Sequence, residues 1–313
     1  MSERVLVCGS IAFDTIAVFE GYFKDHILPD SIQTLSVSFF VPSLRKEWGG
    51  CAGNISYTLK LLGGQPVPVG TVGGDGLDYI KRMEGLGIDT SMVRVMPELF
   101  TPQCFITTDL AASQITSFHP GAMLHSADND LSGQQAGWGI VAPDAKDGMF
   151  AHARRLNAMG VPFIFDLGQA MPLFSGEDLL QMLQLCQVLT ANDYEAEVIE
   201  QRTGKSMTQI AAGLKAAVIT RGAHGSTLYR DGQEIAIAPV PAAEVVDPTG
   251  CGDAHRAGLL YGLTKGWSFE EACSLGNLMG SIKIASNGPQ NHEFKRSDIQ
   301  AMLKQHFGIE RSL

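Results

Sequence analysis

One loop of the sequence combines unprotected backbone amides with a carboxylate. In VVDPTGCGDAHRAG, residues 245–258, two valines lead into Gly250, Cys251 and Gly252, and Asp253 follows where a helical pattern begins. The first amides of a helix have no partner inside it and lie at its positive end, so they can bind an anion. Glycines let that anion approach the backbone closely. The order of residues therefore predicts a phosphate site with an aspartate beside it.

Asp253 has two interpretations. It could be a helix cap, a role worth about 1 kcal/mol, or a proton acceptor beside the bound anion. An alcohol about as acidic as water differs from an aspartate by roughly 16 kcal/mol in proton affinity, so Asp253 cannot ionise a free hydroxyl. It can take the proton late, while the oxygen attacks a phosphorus whose charge is held by the amides and Mg²⁺. The motif thus suits phosphoryl transfer to an alcohol.

The same segment resembles a known signature. DPTGCGDAHRAG is similar to the motif D-T-x-G-A-G-D-x-F-x-G of the ribokinase-like (PfkB) family of carbohydrate and nucleoside kinases. The resemblance implies that Gly250, Cys251 and Gly252 form an anion hole and that Asp253 is the catalytic base. Cys251 replaces the usual alanine and keeps its backbone amide, whereas His255 replaces the usual phenylalanine.

Two N-terminal segments extend the resemblance to the substrate side. Gly9-Ser10 followed by Asp14 is similar to the family's first strand and its aspartate, which accepts hydrogen bonds from sugar hydroxyls. WGGCAGNISYTLKLLG is similar to the family's first signature, in which Gly49-Gly50 allows close approach and Asn54 reaches the sugar. Taken alone, the glycines would indicate a turn and Asn54 a helix cap. Beside the C-terminal motif, the binding role is favoured.

Further segments resemble the nucleotide-binding parts of the family. Asn192 and Glu195 match its N-x-x-E element, which organises Mg²⁺ largely through water, as suits a hard cation that keeps its hydration. In VITRGAHG, the resemblance assigns Thr220, Gly222 and Gly225 to the phosphates and ribose of ATP. ATP and Mg²⁺ are therefore the expected cosubstrate and cofactor.

The C-terminal part carries two more correspondences with the family. Asn277 and residues 285–288 align with the wall of the adenine site. Asp247, Thr249 and Ser286 correspond to positions that hold a monovalent cation, such as K⁺, in some relatives.

The elements that position these residues alternate between apolar runs and helix-length stretches. The runs are residues 5–8, 67–72, 140–142, 161–166, 188–190 and 217–220. The intervening helical patterns include residues 54–62, 76–86, 150–159 and 177–185. Continuous apolar strands alternating with amphipathic helices indicate a parallel sheet covered on both faces. We predict one α/β domain, residues 1–313, with a doubly wound, mostly parallel sheet of the ribokinase-like type.

Two stretches break this alternation. Thr34–Val41 and Gln103–Phe118 have the alternating or hairpin-like patterns of antiparallel strands, and the second folds back around residues 109–112. We predict a small β lid from about residues 15–47 and 98–119; an ordinary edge hairpin is the alternative.

Composition limits the partners. The chain has 313 residues and a formal net charge of −10, which disfavours nucleic acid or an anionic membrane as the main partner. Its six cysteines form no CxxC pair, so reduced thiols in the cytoplasm are expected. No G-x-G-x-x-G follows the first strand, which disfavours dinucleotide-dependent redox chemistry. A monomer and a homodimer are both compatible with the sequence.

Within the family, three stretches look most like bacterial and archaeal nucleoside kinases related to adenosine kinase: SVSFFVPSLRKEWGGCAGN, FITTDLAASQITSFHPGAM and KIASNGPQNH. Several residues could give the lid an apolar face for a purine: Phe39, Phe40, Phe105, Phe118 and Met123. The expected reaction converts ATP and a ribonucleoside, adenosine or another purine nucleoside, to ADP and the 5′-monophosphate, with Gln103 and Phe105 meeting the base. The alternatives are a sugar kinase acting on ribose, fructose or a keto-deoxy sugar acid, and a noncatalytic nucleotide-binding regulator.

Overall fold

Two β-sheets and a set of surrounding helices make up the computed structural model, which describes residues 2–27, 36–111 and 113–313. The strands are β1 (Arg4–Cys8), β2 (Ala12–Val18), β3 (Ser43–Gly49), β4 (Gln65–Gly73), β5 (Val93–Met96), β6 (Gln103–Thr108), β7 (Gln114–His119), β8 (Trp138–Val141), β9 (Phe163–Asp166), β10 (Val188–Asn192), β11 (Ala216–Thr220), β12 (Ser226–Arg230) and β13 (Gln233–Ile237). The helices are α1 (Cys51–Leu61), α2 (Leu77–Gly85), α3 (Lys146–Ala158), α4 (Gly176–Leu185), α5 (Asp193–Thr203), α6 (Met207–Ala211), α7 (Cys251–Thr264), α8 (Phe269–Lys283) and α9 (Arg296–Phe307).

The large sheet has nine strands in the order β13-β12-β11-β10-β9-β8-β1-β4-β5. The pairings from β5 to β11 are parallel, and β12 and β13 add an antiparallel edge. Two apolar clusters cover its faces, one containing residues of α1, α7 and α8 and the other residues of α3, α4 and α5. The predicted doubly wound α/β fold is confirmed.

The apolar runs of the sequence became the parallel strands because both of their faces are covered. Residues 5–7 of β1 have no exposed surface, and residues 188–189 of β10 have none either. Strands β5, β12 and β13 were not predicted, since each mixes polar with apolar residues near an edge of the sheet. Of the helices in the described part of the chain, none is long and apolar enough to cross a membrane.

The chain reverses its winding direction beside β1. It proceeds outward through β4 and β5, then returns to pair β8 with the other side of β1. Such a switch point leaves a crevice at the carboxyl ends of the strands, the usual ligand position in open α/β sheets. Ser10, which follows β1, donates its backbone N–H to the carbonyl of Pro143 at 3.0 Å, so the two loops meet there.

The second sheet has four strands in the order β3-β2-β6-β7. The predicted hairpin is β6 and β7; of the residues predicted to reverse the chain, 109–111 are described and Ala112 lies outside the described residues. Asp109 closes this turn by accepting from the backbone N–H groups of Ala111 at 2.9 Å and Ser113 at 2.8 Å. The sheet is mixed, because β2 pairs with β6 in parallel.

The strand predicted at Thr34–Val41 is displaced. Thr34 and Leu35 lie outside the described residues, residues 36–41 form no strand, and the partner of β2 begins at Ser43. Phe39 is apolar because it packs in an aromatic cluster and not because it belongs to a strand. Its ring centroid lies 4.9 Å from that of Phe19 and 5.0 Å from that of Phe23.

Candidate active site

A tight turn leads into α7. Cys251 donates its backbone N–H to the carbonyl of Pro248 at 3.1 Å, and Gly250 has φ 81° and ψ 2°, as in the third position of a type II turn. A side chain at Gly250 would also meet Cβ of Pro289 at 2.7 Å. Glycine is therefore required here on both backbone and steric grounds.

This turn changes the predicted anion hole. The amide of Cys251 is already used within the turn, so the prediction that it binds the anion is not supported. The backbone N–H groups of Gly250, Gly252 and Asp253 donate to no carbonyl among the described residues. These three amides lie at the positive end of α7, so their N–H groups are positioned to donate to an anion, and the anion site stays a prediction.

The carboxylate of Asp253 lies in the first turn of α7 and is only 8% exposed. Its Oδ2 accepts from Nδ2 of Asn54 at 2.8 Å, and its Oδ1 lies 4.0 Å from the guanidinium of Arg256. Burial raises the pKa of Asp253, while Arg256 and Asn54 act in the opposite direction. The raised pKa makes this carboxylate a better proton acceptor than a free aspartate.

The amide of Asn54 is held in one orientation. Its Oδ1 accepts from Nε2 of Gln290 at 3.0 Å, so Nδ2 is directed at Asp253. Gln290 is fixed in turn, because its Oε1 accepts from Arg82 at 3.2 Å and its amide also contacts the hydroxyl of Tyr79. We did not foresee Gln290, Arg82 or Tyr79, since nothing in the sequence relates residue 290 to residue 54.

A buried ion pair adjoins the anion site and was also missed. Arg256 donates to Asp166 at 2.6 Å, and Asp166, at the end of β9, is 1% exposed. Burial raises the pKa of Asp166 to about 7, although Arg256 lowers it. A Cβ on Gly252 would collide with this guanidinium. The sequence offered two signals for this pair. Asp166 is a charged residue at the end of an apolar run, and Arg256 follows Asp253 by one helical turn.

The small sheet brings Asp14 to the same region. Gly49 lies directly against the Asp14 carboxylate, where a Cβ would collide, and Gly50 has φ 82° with the carbonyl of Ser10 2.5 Å from the position of a Cβ. Burial and the charges of Asp253, Glu47 and Asp247 raise the pKa of Asp14 to about 6. Asp14 accepts no hydrogen bond from any side chain or backbone amide in the described ranges, and its role in binding substrate hydroxyls stays a prediction.

Gln103 and Phe105 do not share a face with Asp14. Directly paired residues of neighbouring strands project to the same face, and Asp14 pairs with Cys104, which pairs with Phe118. Gln103 and Phe105, one residue away on either side, project to the opposite face, and Gln103 donates to Asp75 at 3.1 Å. The prediction that these two residues meet the base is therefore not supported. The register favours Phe118, which is 50% exposed.

Met123 was also predicted to bind substrate. It lies in a 3₁₀ segment, Gly121–Asp128, that follows β7, and is only 9% exposed. Its role in substrate binding stays a prediction.

Asn192 and Glu195 form a reciprocal cap at the start of α5. Oδ1 of Asn192 accepts from the Glu195 N–H at 2.8 Å, and Oε2 of Glu195 accepts from the Asn192 N–H at 2.9 Å. No group of three or more metal-ligating His, Cys, Asp or Glu side chains occurs in the described part of the chain. The other carboxylate oxygen of Glu195 has no hydrogen-bond donor among the described residues, which fits a hydrated Mg²⁺ held through water and does not fit a fully protein-coordinated ion.

The residues predicted to contact ATP surround the ends of β11 and β13. The hydroxyl of Thr220 donates to the carbonyl of Ala191 at 3.4 Å. Gly225 has φ 82°, and a Cβ there would collide with the carbonyl of Ile237. Asn277 donates to the same carbonyl at 3.3 Å, and Gly222 has φ 52° with open space around it. Gly225 and Asn277 therefore meet at the carbonyl of Ile237, and the ATP-binding roles of these residues stay predictions.

A monovalent cation does not fit the positions predicted for it. Nζ of Lys283 donates to the carbonyl of Asp247 at 2.7 Å and to that of Ser286 at 3.1 Å. The Asp247 carboxylate accepts from the N–H groups of Thr249 and Gly288, each at 2.9 Å. A covalently attached amine thus uses the carbonyls that a cation would need.

The two departures from the family signature have structural explanations. His255 is buried beside Gly276, where any Cβ would lie 2.9 Å from the imidazole, so glycine makes room for the ring. Burial lowers the pKa of His255 to about 3, which makes it a neutral packing residue at physiological pH. Burial raises the pKa of Cys251 to about 11, so its thiol is not an activated nucleophile.

The doubly wound sheet, the helix-terminal amides and the adjacent carboxylate define a ribokinase-like kinase. The pfkB family carbohydrate kinase pattern matches residues 5–295. The chain therefore belongs to the pfkB family of carbohydrate kinases, and it is a kinase.

Two similar proteins bear nucleoside kinase names. A nucleoside kinase of Methanocaldococcus jannaschii is 30% identical over 307 residues, covering 97% of this chain and 98% of that protein. The structure of Burkholderia thailandensis nucleoside kinase in complex with inosine matches with a TM-score of 0.90 and 45% identity, covering 99% of this chain and 100% of that chain. Its complex with ADP-inosine matches with a TM-score of 0.86 and 47% identity, covering 98% and 97%.

Proposed function

We propose that this kinase transfers the γ-phosphoryl group of ATP to the 5′-hydroxyl of a ribonucleoside, with a purine nucleoside as substrate. One observation carries the proposal. The buried Asp253 carboxylate lies in the same helical turn as the amides of Gly250 and Gly252, which donate to no carbonyl among the described residues. The Asp253 charge also contributes to raising the pKa of Asp14, whose carboxylate has no hydrogen-bond donor among those residues.

Different residues of the chain carry out charge stabilisation, proton transfer and substrate binding. The amides of Gly250 and Gly252 hold the migrating phosphoryl charge, and Asp253 receives the proton of the attacking hydroxyl late in the step. Asn54 keeps the Asp253 carboxylate in position, and Asp14 accepts hydrogen bonds from the ribose hydroxyls. Glu195 would hold a hydrated Mg²⁺ through water, and the ion would supply positive charge for the phosphates.

We propose that the small sheet, with β2, β3, β6 and β7, is a lid over the substrate. Its face with Asp14 also carries Cys104 and Phe118, so closure would set an aromatic ring beside the ligand while expelling water. A simple sugar has no planar base for that ring to stack on. The exposed Phe118 and the inosine complex of the similar Burkholderia thailandensis enzyme both favour a nucleoside over ribose or fructose.

An acceptor panel tests the proposal. ADP release with ATP and Mg²⁺ is measured for inosine, adenosine, guanosine, cytidine, ribose, fructose and a keto-deoxy sugar acid, with product masses confirmed. We expect a purine nucleoside to give kcat/KM at least about tenfold above any sugar, a difference of about 1.4 kcal/mol in transition-state binding. Faster phosphorylation of a free sugar would contradict the nucleoside assignment, and no product with any acceptor would contradict the function as a whole.

A further inference from the structure

A fully buried lysine lies against the loop that carries the anion site. Lys283 is the last residue of α8, and its side chain has no exposed surface. Lysine is almost never fully buried unless its charge is paired. Here the acceptors are two backbone carbonyls, those of Asp247 at 2.7 Å and Ser286 at 3.1 Å. These two carbonyl dipoles therefore stabilise the buried ammonium group.

Asp247 is held through three atoms, and Lys283 supplies one of the contacts. Its two carboxylate oxygens accept from the N–H groups of Thr249 and Gly288, each at 2.9 Å, while its carbonyl accepts from Lys283. The turn that orients the amides of Gly250 and Gly252 begins at the next residue. Movement of Asp247 would therefore displace the anion site directly.

Carbonyl oxygens directed at one point form a site for a monovalent cation, because they replace its hydration shell. An ammonium group brings the same single positive charge together with three directed donors. We propose that Lys283 is a covalently attached substitute for a monovalent cation. It holds the segments at Asp247 and Ser286 together, orders the anion site, and makes this kinase independent of K⁺. The inference rests on the proposed phosphotransferase function.

The surroundings of Lys283 are those that a buried ammonium requires. Burial lowers the pKa of Lys283, while the charges of Asp247 and Glu47 act in the opposite direction. The side chain of Asp247 is partly neutralised from its other side by Arg45, at 3.6 Å. Positive charge is thus supplied to this segment by the protein itself.

The first arm of the test uses the unaltered protein. ADP formation is measured with the best acceptor from the panel, with choline chloride replacing KCl at constant ionic strength. We expect a change of less than about twofold between no K⁺ and about 100 mM K⁺, since the site is already filled. Activation by K⁺ of about tenfold or more would overturn the proposal.

The second arm removes the amine. Lys283→Ala is expected to lose at least about tenfold in kcat without K⁺, and K⁺ or NH₄⁺ at about 100 mM is expected to restore most of it by binding the vacated carbonyls. Lys205→Ala, at an exposed lysine, is the control and is expected to show neither effect. A folded Lys283→Ala variant with full activity, or with a loss that no monovalent cation restores, would show that the side chain is no cation substitute.

Thermal unfolding separates this inference from the proposed function, because it needs no acceptor. K⁺ is expected to raise the Tm of Lys283→Ala relative to choline, and to leave the Tm of the unaltered protein unchanged. If no acceptor is phosphorylated but this difference appears, the function fails and the inference stands. Should Lys283→Ala fail to fold, Lys283→Gln keeps amide donors without the charge; we expect it to lose turnover, and full turnover would refute the need for a positive charge.

Discussion

The two sides of the active site differ in how far their polar groups are already paired. On the α7 side, Asp253 is bound by Asn54 and Asn54 by Gln290, all of them buried. On the small-sheet side, Asp14 accepts no hydrogen bond from the described residues and Phe118 is half exposed. The α7 side therefore holds its geometry without a ligand, whereas under the proposed function the small-sheet side would be completed by substrate.

This difference separates chemistry from recognition. Stabilising a transition state requires dipoles that are fixed in advance, because reorganising them would cost free energy during the reaction. Recognition by a lid requires groups whose hydrogen bonds are made only when the ligand binds. Changes on the α7 side should accordingly reduce kcat, and changes on the small-sheet side should raise KM.

The largest expected effect is on the α7 side. Asp253→Asn removes the proton acceptor while keeping shape and the contact with Asn54, so we expect kcat to fall by at least about 100-fold, the lower range for a general base. Steady-state kinetics and calorimetric titration with nucleoside measure kcat and binding separately, and binding should be retained. The control is Asp298→Asn, which changes an exposed first-turn aspartate of α9. Near-normal turnover in Asp253→Asn would remove it from the mechanism.

Asp14→Asn tests the small-sheet side. An amide accepts hydrogen bonds from hydroxyls less strongly than a carboxylate, so KM for nucleoside should rise about 10- to 100-fold, the equivalent of one charged hydrogen bond, with a smaller change in kcat. Because the pKa of Asp14 is about 6, KM of the unaltered enzyme should also rise as the pH falls through that value and Asp14 becomes protonated. A KM that stays constant over this range would contradict the assignment.

The same substitution should stabilise the fold. The folded pKa of Asp14 is raised above that of the unfolded chain, so the ionised form destabilises the protein, and stability present at low pH is lost as the pH rises from about 4 to about 6. Asp14→Asn is therefore expected to increase the free energy of unfolding at neutral pH by up to roughly 3 kcal/mol. Urea unfolding measures this, and lower stability would show that Asp14 makes favourable contacts in the free protein.

Gln290→Glu tests whether the fixed amide of Asn54 matters. The new carboxylate could only accept where the Gln290 amide donates, so the Asn54 amide would turn and present its oxygen to Asp253. We expect the pKa of Asp253 to rise further, the acidic limb of the kcat profile to move up by about one pH unit, and kcat at neutral pH to fall about tenfold. Arg82, which already contacts Gln290, can balance the new charge.

The matched control for Gln290→Glu is Gln181→Glu, which adds the same charge at an exposed position of α4. It should leave the pH profile unchanged. If Gln290→Glu loses activity at every pH by the same factor, its effect is on packing and the role in orienting Asn54 is refuted.

The contrast between the two sides also explains what the sequence could predict. The α7 motif could be predicted because Gly250, Gly252 and Asp253 lie within a few residues of one another. The buried strands could be predicted because their residues are apolar on both faces of the sheet. The sequence also predicted that the Cys251 amide binds the anion. That amide donates to the carbonyl of Pro248 instead, and the sequence pattern does not show this turn.

The small-sheet side depended on long-range pairing that local patterns do not contain. Alternation along β6 shows that residues 103 and 105 share a face, but only the parallel register with β2 shows that Cys104 lies beside Asp14. Gln290 and Lys283 could not be identified for the same reason, because Gln290 contacts Asn54 across 236 residues of the chain and Lys283 contacts Asp247 across 36.

The smallest expected effect comes from a pair of phenylalanines that separates the two faces of the small sheet. Phe118 shares a face with Asp14, and Phe105 lies on the other face, yet both are about half exposed. Phe118→Ala should raise KM for a purine nucleoside about 5- to 10-fold, the lower range for stacking on a base, while Phe105→Ala should change it less than about twofold. Neither substitution should alter kcat strongly, because a phenyl ring neither accepts a proton nor carries a charge that could stabilise the phosphoryl group. KM measurements on both variants decide the point: a rise confined to Phe105→Ala would mean that substrate approaches the opposite face, and the assignment of Asp14 would fall with it.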